Sequence, residues 1–295
     1  MRDERIIDGK ATAKSIVEEI GEEAEKFSRG KRAPSLRVII LGEDPASRVY
    51  VRNKIKTAKK CNIESELLEL PDDLEEGELF DIIEDFNSDS GIDGFMVQLP
   101  LPAHINENEV IRRISPQKDV DGIHPFNLGM MVEGNPQFIP CTPLGITELL
   151  KRYRVRTEGK KAVIIGRSII VGKPMALILS SKLEQGNATV TVCHSRTPDI
   201  EKETREADIL VSAVGKPEFI TGDMVKEDAV VIDVGVNRVE DTSRKKGYRL
   251  AGDVDFQSVL PRVSLITPVP GGVGPMTVAM LMKNTLKAAK MASGS

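Results

Sequence analysis

Short apolar runs alternate with stretches of helical period along almost the whole chain, a pattern that predicts parallel β-strands joined by amphipathic helices. In the first half a helix is expected over about residues 10–28, with strands at SLRVIILG (35–42), IESELLEL (63–70) and DGFMVQLP (93–100). Helices are expected between them after Asp44 and over LEEGELFDIIEDF (74–86), and a shorter one near 107–114. Regularity lapses over 115–143, which holds KDVDGIHPFNLG and ends in PCTP; an irregular stretch of that length is uncommon unless it carries function. A helix over about 143–153 opens a second series of strands: KAVIIG, ATVTVCHS, DILVSAVG, AVVIDVG and VSLITP. The last helix starts near Pro275 and is expected to pack back on the first half, which makes that domain discontinuous; residues 291–295 read as a frayed tail.

The helix after Asp44 brings candidate chemistry. Asp44 followed by Pro45 is a helix start, because aspartate caps free N–H groups and proline is tolerated in the first turn. The phase then predicts Val51, Ile55 and Ala58 as the buried stripe, with Ser47, Tyr50 and Lys54 on its flank. A lysine at the edge of a core has a lowered pKa and can act as a base. The plainer alternative is a solvated cation among Arg52, Lys56, Lys59 and Lys60.

In the second half, strand 161–166, the loop RSIIVGKP and a helix from about Pro174 form the strand, loop and helix start that hold a pyrophosphate. The loop offers only Gly166 and Gly172, short of the full glycine pattern, so an ordinary βα unit stays open. Where an NAD-binding fold carries Asp or Glu at the end of the next strand, this chain has His194, Ser195 and Arg196. With Arg167, these suit a 2′-phosphate and favour NADP over NAD; surface cations are the alternative. In the first half, loops at the carboxyl ends of the strands carry Tyr50 and Lys54, then Gln98, then Asp121. Gln98 is a candidate contact for Lys54 or a ligand, against a plain loop hydrogen-bonder, and Asp121 stands against a turn-forming role beside Asp119. TPVPGGVGPMT (267–277) joins stiffening prolines to paired glycines before a helix, letting backbone come close to a ligand.

Composition narrows the partners. At 295 residues the chain is long enough for two domains with sizeable cores. A net charge of −4 with acids and bases interspersed gives no basic field for nucleic acid, so small molecules are the expected ligands. Without an apolar run of membrane length or a signal-peptide core at the start, the chain reads as cytosolic, with no membrane partner. Cys61, Cys141 and Cys193, with His104, His124 and His194, are scattered without metal-ligand spacing, which argues for reduced thiols and no metal site.

Together, ASRVYVRNK, GFMVQLPLP, KDVDGIHPFN, PCTPLGI, GRSIIVGKP, ATVTVCHSRT and TPVPGGVGPMT resemble the bifunctional methylenetetrahydrofolate dehydrogenase/methenyltetrahydrofolate cyclohydrolase family, in order over residues 6–285. Phe95 and Met96 depart mildly from its pattern. The resemblance implies two α/β domains flanking a cleft: a folate-binding catalytic domain (1–142 with 275–295) and a Rossmann-type NADP-binding domain with a parallel sheet (143–274). It implies a cytoplasmic homodimer that oxidises 5,10-methylenetetrahydrofolate with NADP, NAD being the alternative, and hydrolyses the methenyl product to 10-formyltetrahydrofolate. By motif, Lys54, Gln98 and Tyr50 fall on catalytic positions, and Tyr50, Ser47, Gln98, Leu99, Pro100, Asp121, Pro270, Gly271 and Gly274 on folate-binding ones. Thr142, Gly166, Arg167, Ser168, Val171, Gly172, His194, Ser195, Arg196, Gly215, Gly235 and Val236 fall on the cofactor site. A monofunctional dehydrogenase of the family is the near rival, and a non-catalytic dinucleotide sensor a more distant one.

Overall fold

The computed structural model describes residues 3–244 and 247–294. In chain order the first elements are α1 (Gly9–Ser28), β1 (Ser35–Leu41), α2 (Pro45–Lys60), β2 (Glu64–Leu70), α3 (Glu76–Ser88), β3 (Gly94–Val97), α4 (Glu107–Arg113) and α5 (Pro125–Glu133). Then come α6 (Cys141–Arg152), β4 (Lys161–Ile165), α7 (Gly172–Ser180), β5 (Thr189–Cys193), α8 (Ile200–Arg205), β6 (Ile209–Ser212) and β7 (Val230–Asp233). The chain finishes with β8 (Asn237–Glu240), β9 (Tyr248–Ala251), α9 (Phe256–Val259), β10 (Leu265–Ile266) and α10 (Val273–Ala292). Among the described residues no helix is long and apolar enough to cross a membrane.

The chain divides into two compact units. One comprises Lys14–Cys141 and Val278–Ser295. Its sheet has the order β2-β1-β3, all parallel. Ile39, Leu41, Phe95 and Val97 form a core with Leu79 and Ile83 of α3 and Val110 of α4. Met96, between Phe95 and Val97, faces the other way, toward α2, because strand side chains alternate. The expectation of an irregular stretch over 115–143 needs correction, since it contains α5. His124 caps that helix, its Nδ1 accepting from Phe126 N, with Pro125 in the first turn and Gly134 closing it at φ 86°. PFNLGMMVE is apolar on nearly every face and short, so it has no readable helical period.

The other unit comprises Met1–Ala13 and Thr142–Thr277. Its five strands run parallel in the order β10-β7-β6-β4-β5. β4 comes first in the chain yet sits inside the sheet, with β5 on one side and β6 on the other, so the winding direction reverses between β4 and β6. The first thirteen residues fall here, whereas the sequence reading grouped them with the folate half. The reason is local: β10 is only two residues long, and the N-terminal segment pairs with it through Ile7 N to Ile266 O and Ile266 N to Arg5 O, both 2.8 Å. The antiparallel pair β8–β9 was absent from the expected elements, being short and half exposed.

Candidate functional site

In the first unit the candidate residues gather around Lys54. The side chain of Asp44 caps α2 by accepting from Ser47 N at 2.7 Å, and Pro45 occupies the first turn. Val51 and Ala58 are fully buried as the periodicity implies, but Ile55 is only half-buried; Lys54, expected on the flank, is 7% exposed. The core face of α2 is therefore rotated toward the lysine, and the neighbouring strand supplies what a buried amine needs. Lys54 Nζ donates to Gln98 Oε1 at 2.8 Å and contacts Met96 Sδ at 3.2 Å. Gln98 Nε2 donates to Leu99 O at 2.7 Å, which fixes the amide so that its oxygen faces the lysine. Burial lowers the Lys54 pKa from its ordinary value, while Asp121 and Cys141 pull it upward. Tyr50, one turn earlier, is 41% exposed and presents its ring to solvent.

Asp121 reaches this neighbourhood because the preceding segment runs beside β3: Phe95 N donates to Lys118 O, and Gly94 leaves room for Val120, whose Cγ1 lies 2.1 Å from where a Cβ would stand. The turn-forming role belongs to Asp119. Its buried carboxylate accepts from the N–H groups of Gly122, Ile123 and His124 and from the Asn127 amide. The Asp121 carboxylate is thereby left out of the turn. Asp121 with Met96, Leu99 and Ile123 lines a pocket. Cys141, which the sequence reading did not single out as a site residue, is buried within electrostatic reach of Asp121 and Lys54; burial and then Asp121 push its thiol well up. Asn284 of α10 ties the backbone on either side of Asp121 by donating to Val120 O and Ile139 O.

In the second unit the strand ends are level, with Ile165 opposite both Cys193 and Ser212, and Ser212 opposite Asp233. The loops leaving this carboxyl edge carry Gly166, Arg167 and Ser168, then His194, Ser195 and Arg196, then Gly215, then Gly235 and Val236. Gly166 has φ 118° and its Cα lies against Ala213 O, so a Cβ would stand 2.4 Å from that oxygen. Gly172 is equally tight against Gly166 O, which packs the start of α7 onto the loop; Val171 is buried beside it. Arg167, Ser168, Ser195 and Arg196 are exposed. Two guanidinium groups and two hydroxyls on the loops that leave the neighbouring strands β4 and β5 suit the phosphates of a dinucleotide. Thr142 hydrogen-bonds the Thr277 hydroxyl at 3.0 Å, at the start of α6.

Two buried acids missed by the sequence reading organise this edge. Asp253 accepts from Val214 N (2.6 Å), Gly215 N (3.2 Å), Lys216 N (3.0 Å) and the Asn237 amide (3.1 Å). Asp233 accepts from Asp253 N, Val254 N and Gly235 N. Gly235, expected at the cofactor, makes room for Asp253: a Cβ there would stand 2.1 Å from Oδ1. Burial pushes Asp233 up to about 7, against the N–H donors that favour its charge. A carboxyl raised in the folded state stabilises fully below its ordinary pKa of 3.8, and this contribution is lost as pH rises to about 7. Asp233 should accordingly contribute a falling component to the urea midpoint across that window, and Asp233→Asn should make the midpoint's slope with pH less negative; identical slopes would contradict the assignment.

The TPVPGG loop (267–272) lies in this unit too, carrying Pro270 and Gly271, with Gly274 following in the first turn of α10. Its second glycine is used internally: a Cβ on Gly272 would stand 2.7 Å from Pro268 O, and one on Gly9 would stand 1.9 Å from Gly272 O. Gly271 differs, with φ 112° and open space where a Cβ would be. The close approach expected for a ligand is thus shared with the chain's own N-terminal segment.

A parallel sheet whose winding reverses beside a glycine-bearing loop, and a second α/β unit with a buried lysine beside an amide, define a dinucleotide-dependent enzyme. Residues 7–121 match the tetrahydrofolate dehydrogenase/cyclohydrolase catalytic domain, and residues 140–293 the NAD(P)-binding domain of the same family. The chain belongs to the tetrahydrofolate dehydrogenase/cyclohydrolase family. It is 55% identical over 285 residues to the bifunctional protein FolD of Chlorobium phaeobacteroides, covering 96% of each chain. Among solved structures it resembles the bifunctional FolD enzyme of Campylobacter jejuni (45% identity, TM-score 0.90, 97% and 98% covered). It also resembles the Trypanosoma brucei FolD complexed with NADP cofactor and inhibitor (42% identity, TM-score 0.93, 98% of each covered).

Proposed function

We propose that this chain oxidises 5,10-methylenetetrahydrofolate with NADP and hydrolyses the 5,10-methenyltetrahydrofolate formed to 10-formyltetrahydrofolate, as a cytosolic homodimer. The relatives carrying the bifunctional name support the pair of activities, and the Trypanosoma brucei complex supports the cofactor. The observation that carries the second activity is the buried Lys54 amine bonded to the uncharged Gln98 amide. A monofunctional dehydrogenase needs no such group, because removal of hydride from the bridging methylene is driven by the folate nitrogens. NADP, when bound, supplies the hydride acceptor.

The chain's residues then have separate tasks. Tyr50 offers an exposed ring to stack on the aminobenzoyl group, and Asp121 pairs with the pterin N–H groups, with Ser47, Leu99, Pro100, Pro270, Gly271 and Gly274 completing the folate contacts. Arg167, Ser168, Ser195 and Arg196 hold the dinucleotide phosphates, with Thr142, Gly166, Val171, Gly172, His194, Gly215, Gly235 and Val236 around them. A charged lysine would repel the methenyl cation, so the burial that favours the neutral amine suits hydrolysis. Water adds to the methenyl carbon and its proton passes to Nζ. Nζ returns a proton to the ring nitrogen as that C–N bond breaks and accepts the hydroxyl proton as the formyl C=O forms. One proton remains, and it leaves to solvent.

Hydrolysis of methenyltetrahydrofolate supplied without NADP, at a rate well above the spontaneous one, tests the reading; no acceleration would leave only the dehydrogenase. Asp121→Ala should weaken folate binding by about 10- to 100-fold, the loss of a charged hydrogen-bond acceptor, with NADP affinity kept. Unchanged folate affinity by fluorescence titration would remove Asp121 from the pterin site. Replacing Arg167 and Arg196 together by alanine should cut the NADP over NAD preference in kcat/KM by about tenfold or more, and an unaltered ratio would take both out of the phosphate site.

A further inference from the structure

Met96 and Gln98 are two residues apart where β3 ends, so their side chains leave the strand on the same side. That side meets α2, and both reach one atom: Lys54 Nζ lies 2.8 Å from Gln98 Oε1 and 3.2 Å from Met96 Sδ. Met96 is buried, so its sulfur has no water to serve, and a thioether is an acceptor without any donor. A neutral amine has two N–H bonds and one lone pair, arranged tetrahedrally. With the amide oxygen taking one N–H and the sulfur the other, the lone pair is confined to the direction that remains.

We propose that Met96 is a positioning residue for the hydrolytic step, its thioether holding the second N–H of neutral Lys54 so that the lone pair is fixed toward the substrate. This rests on the reading of Lys54 as the base. The two neutral acceptors leave Asp121 and Cys141 as the titratable groups that act on Lys54, and both pull its pKa upward against burial. Met96 therefore orients the amine without adding a charge that would favour the ammonium.

Met96→Leu keeps the side-chain volume and removes the acceptor. The cyclohydrolase kcat should fall about tenfold, through misorientation of the base, with KM for methenyltetrahydrofolate within about twofold. The acid limb of the kcat–pH profile should also move to lower pH, since the ammonium loses a stronger N–H···S contact than the neutral amine does. NADP affinity reports that the variant is folded. Norleucine in place of methionine, which removes sulfur and keeps the chain length, gives the same readouts should the leucine variant fold poorly. An unchanged kcat and limb would overturn the proposal, and so would a lower kcat with an unmoved limb, which marks packing alone. Lys54→Met hydrolysing at the unaltered rate would instead overturn the reading of Lys54, whatever Met96→Leu does.

Discussion

Asp253→Ala is expected to destabilise the dinucleotide unit by roughly 3–5 kcal/mol and to abolish measurable NADP binding. Its carboxylate is the common acceptor for three consecutive N–H groups, at Val214, Gly215 and Lys216, and for the Asn237 amide. Val214 and Gly215 bond Oδ2, while Lys216 and Asn237 bond Oδ1, so both oxygens are occupied by donors. Asparagine is therefore no substitute, because either amide orientation turns an NH2 group against two donors. The 213–216 loop leaves β6 at the switch point, beside Gly166, and loses its anchor in both variants. Urea unfolding with and without NADP measures the effect. An Asp253→Asn protein with the unaltered midpoint and NADP affinity would contradict it.

Lys54→Met is expected to reduce cyclohydrolase turnover by about 10²- to 10⁴-fold, the range for loss of a positioned general acid–base. Methionine matches the stem of lysine, so the buried position stays filled while the amine is lost. Gln98 Oε1 then loses its donor, but Gln98 is only half-buried and water can serve the freed oxygen. The dehydrogenase step uses no protein base and should retain much of its rate. The methenyl intermediate should accordingly persist once formed. Turnover of methenyltetrahydrofolate at the unaltered rate would remove Lys54 from the mechanism.

Much of this was legible in the sequence for physical reasons that also mark the limits. The Asp44–Pro45 start and the alternating strands are local signals, and the helix and both parallel sheets follow them. The depth of Lys54 was not local: α2 is polar overall, and its inward phase was settled by two acceptors more than forty residues away, Met96 and Gln98. Their spacing of two on a strand was the available clue. Of the two acids in KDVDG, either can make the turn by propensity, and only the N–H groups gathered by Asp119 mark it as the turn-forming one. Asp253 had no signal at all in its own segment, since its donors lie in loops brought together by the sheet order. Gly235 shows the converse, a glycine whose missing side chain serves a neighbouring carboxylate.

The measurement that bears most directly on two activities in one chain uses the unaltered protein with 5,10-methylenetetrahydrofolate and NADP, recording methenyl and NADPH absorbance together. Methenyl absorbance should rise and then decay faster than spontaneous hydrolysis allows, leaving 10-formyltetrahydrofolate equal to the NADPH produced. Methenyl accumulating one for one with NADPH, and decaying no faster than it does without protein, would contradict the account.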